Sequence, residues 1–126
     1  MLHFREAQKA LFREMQEGVF VGELAARLRR YWPGPCADLG DEGVRRRIGL
    51  GMERAQHYGM VTSYNISRYV YCMMELGDDF DTDPACAFAG EILRDERYDP
   101  TTRMDRLIEA ASRVVNARAQ APGNDG

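Results

Sequence analysis

The chain has 126 residues, 44% of them hydrophobic and 29% charged, with 17 basic and 20 acidic side chains and a net charge of -3. A chain of this length buries roughly two-thirds of the surface it exposes when unfolded, so disulfides or metal are not required for folding. Its balance is not that of a disordered chain, and its excess of acid argues against a dedicated nucleic-acid binder. No apolar run nears the ~18 residues a membrane helix needs.

Charge is uneven along the chain, +3 over residues 1–74 and -6 over residues 75–126, which implies a polarised surface. The opening Met1-Leu2-His3-Phe4-Arg5-Glu6 lacks the basic-then-apolar order of a secretory signal. Cys36, Cys72 and Cys86 are odd in number and widely spaced, as reduced thiols are. A cytoplasmic protein is expected.

Helical spacing runs nearly throughout. Over residues 3–30, Phe4, Ala7, Leu11 and Met15 recur every three or four positions, and Leu24 and Leu28 continue the stripe past Gly18 and Gly22. This is one long helix or two halves bent at the glycines. Pro33-Gly34-Pro35 is expected to end it. A second helix opens at Asp41 as N-cap, places Val44, Ile48, Met52 and Ala55 on one face, and stops at Gly59. Gly51 beside Ala55 would let another helix come close.

A third helix is capped by Thr62 or Ser63 and ends at Gly77. Between Ile66 and Leu76 only Ser67, Arg68 and Glu75 are strongly polar. A helix apolar almost all round is covered on several sides, so residues 64–76 are expected at the centre of a bundle. Asp83-Pro84 and Asp99-Pro100 each read as N-cap plus first helical residue. The first precedes the stripe Phe88, Ala89, Ile92 and Leu93, and the second precedes Met104, Leu107, Ile108, Ala111 and Val115. The expected fold is all-α, a compact single-domain bundle of about five helices over residues 1–119, with a disordered tail over 120–126.

Chemical motifs are weak. Asp79, Asp81 and Asp83 open like a calcium loop, but Pro84 stands where a glycine must turn and Gly90 where a bidentate Glu is required. Cys36, Cys72, Cys86, His3 and His57 show no short zinc spacing. His57 beside Tyr58 is either a general base or a group meeting a helix C-terminus. No nucleophile elbow or phosphate loop accompanies it. No catalytic, cofactor or metal residue is therefore expected, and no enzyme.

Surface recognition is the better use of what remains. Arg45-Arg46-Arg47, with Arg29-Arg30, is the one basic concentration, and it is either a solvated face or a patch for an acidic partner. Tyr64 and Tyr71 lie seven apart, on a helix face distinct from that of Ile66, Tyr69, Val70 and Met73. Tyr64, Tyr71, Arg45, Arg46, Arg47, Asp79 and Asp81 are the candidate partner-binding residues, because aromatic anchors with charged rims make interfaces.

Arg54-Ala55-x-x-Tyr58-Gly59, Tyr69-Val70, Leu76-Gly77-x-x-Phe80-Asp81-x-Asp83-Pro84, Ala89-x-x-Ile92-Leu93 and Arg106-Leu107-x-x-Ala110 carry a resemblance over about residues 44–111. The chain resembles a family of short, all-helical bacterial proteins encoded in type VI secretion effector clusters, beside the adaptor chaperone that loads an effector onto the spike-tip PAAR protein. The resemblance implies a cytoplasmic, non-enzymatic co-chaperone that binds the adaptor chaperone, with no cofactor, nucleic acid or membrane, and it assigns no site residues. The alternatives are an immunity protein whose acidic loop covers a toxin's active site, and a helix-turn-helix protein with Arg45–Arg47 on its recognition helix, which the net acidity disfavours.

Overall fold

The structure is a computed structural model that describes the backbone of residues 2–120 and the side chains of residues 6, 7 and 18–120. The expected stripe residues Phe4, Leu11 and Met15, His3, and the tail beyond Gln120 lie outside these described side chains and residues. The chain is all-α. Among the described residues it forms α1 (Leu2–Tyr31), α2 (Pro33–His57), α3 (Ser63–Leu76), a short 3-10 turn (Pro84–Cys86), α4 (Ala87–Leu93) and α5 (Pro100–Gln120), with no strand. Internal contacts divide the chain between Gly49 and Leu50 into two compact units. That boundary falls inside α2, where helical spacing continues and no linker composition marks it. No described helix is long and apolar enough to cross a membrane.

In the first unit, α1 runs unbroken through Gly18 and Gly22. Leu24, Ala25 and Leu28 form its buried stripe. The Pro33-Gly34-Pro35 segment does end α1, but it also begins α2, which starts eight residues earlier than Asp41. Both prolines sit in the first turn, where backbone N–H groups have no intrahelical acceptor, so their missing donors cost nothing. The N–H of Cys36 donates to Trp32 O at 3.1 Å and closes that turn. Gly40 then breaks the helix with φ 72° and ψ 169°, a conformation suited to glycine, and regular helix resumes at Asp41. A helix thus opens at Asp41, where the spacing predicts one, with Gly40 in the non-helical position before it. The Asp41 carboxylate accepts from Arg29 Nη2 at 2.8 Å and ties the end of α1 to the resumed helix. Cys36, Val44 and Ile48 are buried.

The second unit contains the last turns of α2. Tyr58, Gly59 and Met60 close them, with the Gly59 N–H on Gln56 O and the Met60 N–H on Ala55 O, both at 3.0 Å. Gly59 has φ 86°, the left-handed residue this ending requires. Buried Met60 and Ala55 supply the apolar contact that goes with it. Thr62 then caps α3, its hydroxyl accepting the Asn65 N–H at 3.2 Å. Residues 65–70 of α3 are buried without interruption, as are Cys72 and Met73. α5 packs against both α3 and α4, burying Met104, Leu107 and Ala111. Asp83 and Asp99 cap as the sequence suggests. The Asp83 carboxylate accepts the Ala85 N–H at 2.9 Å, and that of Asp99 accepts the Thr102 N–H at 3.3 Å.

Two glycines of α2 have opposite roles. A Cβ on Gly51 would lie 2.6 Å from Val70 Cγ2 and 2.8 Å from Met73 Sδ, so the helix meets α3 there only as glycine. A Cβ on exposed Gly49 would meet nothing within 4 Å. Gly49→Ala is expected to stabilise by about 1 kcal/mol through helix propensity. Gly51→Ala is expected to destabilise by about 1–3 kcal/mol through overpacking. Urea midpoints moving in opposite directions check the pair, and a stabilised Gly51→Ala would contradict the close approach.

Candidate docking surface

At the start of α3 two apolar side chains face solvent, Val61 at 77% exposure and Tyr64 at 61%. They flank the Thr62 cap. The tyrosine is held in place. The Arg68 guanidinium, one helical turn on, lies 4.0 Å from the Tyr64 ring centroid. Arg68 is itself buried. Its Nη1 donates to Asp105 Oδ1 at 2.5 Å and its Nη2 to Asn65 Oδ1 at 2.7 Å. Asn65 Nδ2 completes the lashing by donating to Thr101 Oγ1 at 3.0 Å. The Tyr64 ring is thus held by a cation anchored to α5, which narrows its rotamer freedom.

Two further arginines hold the second unit together. Arg103 is buried, and among the described residues its bonds go to backbone carbonyls. Its Nε donates to Tyr98 O at 3.0 Å, and its Nη1 to Tyr58 O at 2.9 Å and Leu93 O at 2.7 Å. Tyr58 and Leu93 stand at the C-terminal ends of α2 and α4, where carbonyls lack intrahelical donors and the helix dipole favours a cation. Arg54 clamps the loop after α3. It donates to Asp78 O and pairs with Asp79 Oδ1 at 2.8 Å.

In the same loop Asp81 Oδ2 accepts the Tyr58 hydroxyl at 2.7 Å. Burial and then that carboxylate push the Tyr58 pKa up to about 12, against the opposing charge of Arg94. Tyr58 stacks on Tyr69, and Tyr69 meets buried Phe80 at a tilt of 48° with centroids 4.9 Å apart. Gly90 admits the loop: a Cβ there would lie 2.7 Å from Asp81 O.

The candidate residues therefore separate. Tyr64 is exposed, while Tyr71 is half-buried and has interactions of its own. Asp79 pairs with Arg54 while its side chain stays exposed, and half-buried Asp81 accepts from Tyr58. Asp79, Asp81 and Asp83 point to three different tasks, and no described group of three acidic, His or Cys side chains gathers as a metal site. Arg45 and Arg46 are exposed and Arg47 is half-buried, and all three belong to the first unit. Burial raises the Cys72 thiol to about 12, and burial also raises Cys36 against the nearby Arg29 and Arg47 charges. His57 is exposed and meets Tyr58 edge-on at 5.3 Å.

Arg54, Arg68 and Arg103 were not among the expected site residues. Arg68 carried a signal, since a cation inside the most apolar helix must find a partner. Arg103 carried none, because its acceptors are backbone carbonyls that any sequence supplies.

Acid should loosen the α4–α5 connection. The Asp95 carboxylate is gripped by Arg97, whose Nε and Nη2 each donate to it at 2.8 Å. Those bonds hold its pKa down to about 2, and the Thr102 hydroxyl and N–H lower that of Asp99. A carboxylate with a depressed folded pKa stabilises above its unfolded value, near 3.8, and that contribution vanishes as pH falls through about 2. The urea midpoint is expected to fall between these limits, less steeply in Asp95→Asn. An equally steep fall in that variant would contradict the assignment.

Comparison with family models, with curated proteins and with solved structures gave no match. Arg54, Tyr58, Tyr69, Phe80 and Asp81 together clamp the end of α2, α3 and the following loop.

Proposed function

We propose that this chain is a non-enzymatic, cytoplasmic co-chaperone that binds the adaptor chaperone of a type VI secretion effector and regulates loading of that effector onto the PAAR tip. The observation that carries the docking reading is Tyr64, an exposed aromatic on a helix otherwise buried over residues 65–70, fixed in place by a buried arginine. Aromatic anchors of this kind dominate binding energy at protein interfaces. The resemblance over about residues 44–111 supplies the partner's identity. Much of the chain's charge chemistry supports the fold, since Arg54, Arg68, Arg103, Asp79, Asp81, Asp95 and Asp99 each make defined internal bonds.

The test is gel filtration of the full chain with the adaptor chaperone encoded beside it, at roughly 10 μM each, where a complex of micromolar or tighter affinity persists. Co-elution is expected. Separate elution overturns the reading, and protection of cells from the adjacent toxin by this chain alone would replace it with immunity.

A further inference from the structure

We infer that the elbow between α1 and α2 is a docking site for an acidic segment of a partner protein. The inference deepens the reading above by assigning the chemistry of the contact, and it relies on that reading for the partner's identity.

Residues 29–47 carry five arginines, Arg29, Arg30, Arg45, Arg46 and Arg47, against three carboxylates, Asp38, Asp41 and Glu42, in a chain whose net charge is -3. The fold brings the two arginine runs together. Arg29 Nη2 meets Asp41 Oδ1 at 2.8 Å, so the end of α1 lies against the helix that resumes after the Gly40 break. Arg29 and Arg47 are both close enough to the buried Cys36 for their charges to oppose the rise that burial gives its thiol. Asp41 is occupied by Arg29, and Arg45 follows Asp41 by four residues, on the same helix face. Arg45 and Arg46 are exposed, and among the described residues neither has a carboxylate partner. Two cations whose guanidinium forks suit carboxylates are thus left available.

Apolar anchors accompany them. Tyr31 is 62% exposed, with the Arg30 guanidinium 5.6 Å from its ring centroid and Trp32 edge-on at 6.4 Å. Leu39 is 36% exposed and folds beside Gly43, at the break itself. An exposed tyrosine with unneutralised arginines has the composition of a protein hot spot. Nucleic acid fits less well. Binding to phosphates rests on an excess of clustered cations, whereas here three carboxylates are interleaved with the arginines and the chain is net acidic.

The experiment measures binding of the full chain, and of its Arg45→Glu/Arg46→Glu and Arg113→Gln variants, to the adaptor chaperone, to poly-L-glutamate and to poly-uridylate at low and high salt. Both substituted arginines of the double variant are exposed, so its fold is expected to persist, and circular dichroism checks this. The expected result is chaperone binding that weakens about tenfold or more in the double variant and loses most of its salt dependence, with Arg113→Gln unchanged. Equal chaperone affinity in the double variant overturns this inference and leaves the proposed function standing. Poly-L-glutamate binding that the double variant abolishes, without any chaperone binding, sustains the inference and removes the proposed function. Tighter binding to poly-uridylate than to poly-L-glutamate overturns the inference in favour of nucleic acid, and binding to none of the three overturns both.

Discussion

Replacing Arg103 with Leu is expected to lower the unfolding free energy by about 3–5 kcal/mol, because three carbonyls lose a charged donor and each buried group left unsatisfied costs about 1–3 kcal/mol. The three acceptors, Tyr58 O, Leu93 O and Tyr98 O, belong to separate stretches of chain, so one guanidinium joins the end of α2, the end of α4 and the entry to α5. Domain stabilities are typically ~5–15 kcal/mol, so this loss approaches the whole margin. Arg103→Lys keeps the charge but not the planar fork, and should recover only part of the loss. Urea denaturation followed by far-ultraviolet circular dichroism reads both variants. A loss under about 1 kcal/mol for the Leu variant would show that water replaces the guanidinium readily.

Phe80→Ala should be comparably severe, about 3–5 kcal/mol, since the ring is fully buried against Tyr69 and the cavity cannot close around a backbone already fixed at Gly90. The consequence extends beyond packing. Phe80 sits between Asp79 and Asp81, so its loss should release both carboxylates from Arg54 and Tyr58. The Tyr58 hydroxyl, now titrating near 12, should then return toward its ordinary value near 10. Ultraviolet titration of the tyrosines reports this separately from stability. In wild type the raised pKa means that stability is intact below pH 10 and declines as pH rises toward 12. An unchanged titration curve in Phe80→Ala would show that the loop is held without its aromatic plug.

Local rules made the helices legible. Thr62, Asp83 and Asp99 cap where side chains of their type satisfy free N–H groups, and Gly59 and Gly77 end helices with positive φ. The buried character of α3 followed from its scarcity of polar residues. The early start of α2 was hidden because prolines usually mark an ending, although in a first turn they are harmless. The division within α2 left no compositional trace.

The site was less legible, for a physical reason. Arg68 meets Asp105 across 37 positions and Arg103 meets Tyr58 across 45. Charge and spacing within one sequence say nothing about pairings at such separations. Asp79 and Asp81 look like free loop carboxylates until the fold brings Arg54 and Tyr58 beside them. Tyr64 and Tyr71 do share a face by spacing, but only the residue at the open end of α3 stays mostly in solvent.

The most direct test is calorimetric titration of the adaptor chaperone with wild type and Tyr64→Ala, each with its unfolding midpoint measured alongside. Affinity is expected to fall at least about tenfold while the midpoint stays put, as for an exposed anchor whose energy is realised only on docking. Equal affinity in the two proteins would contradict the claim that α3 presents this face to a partner.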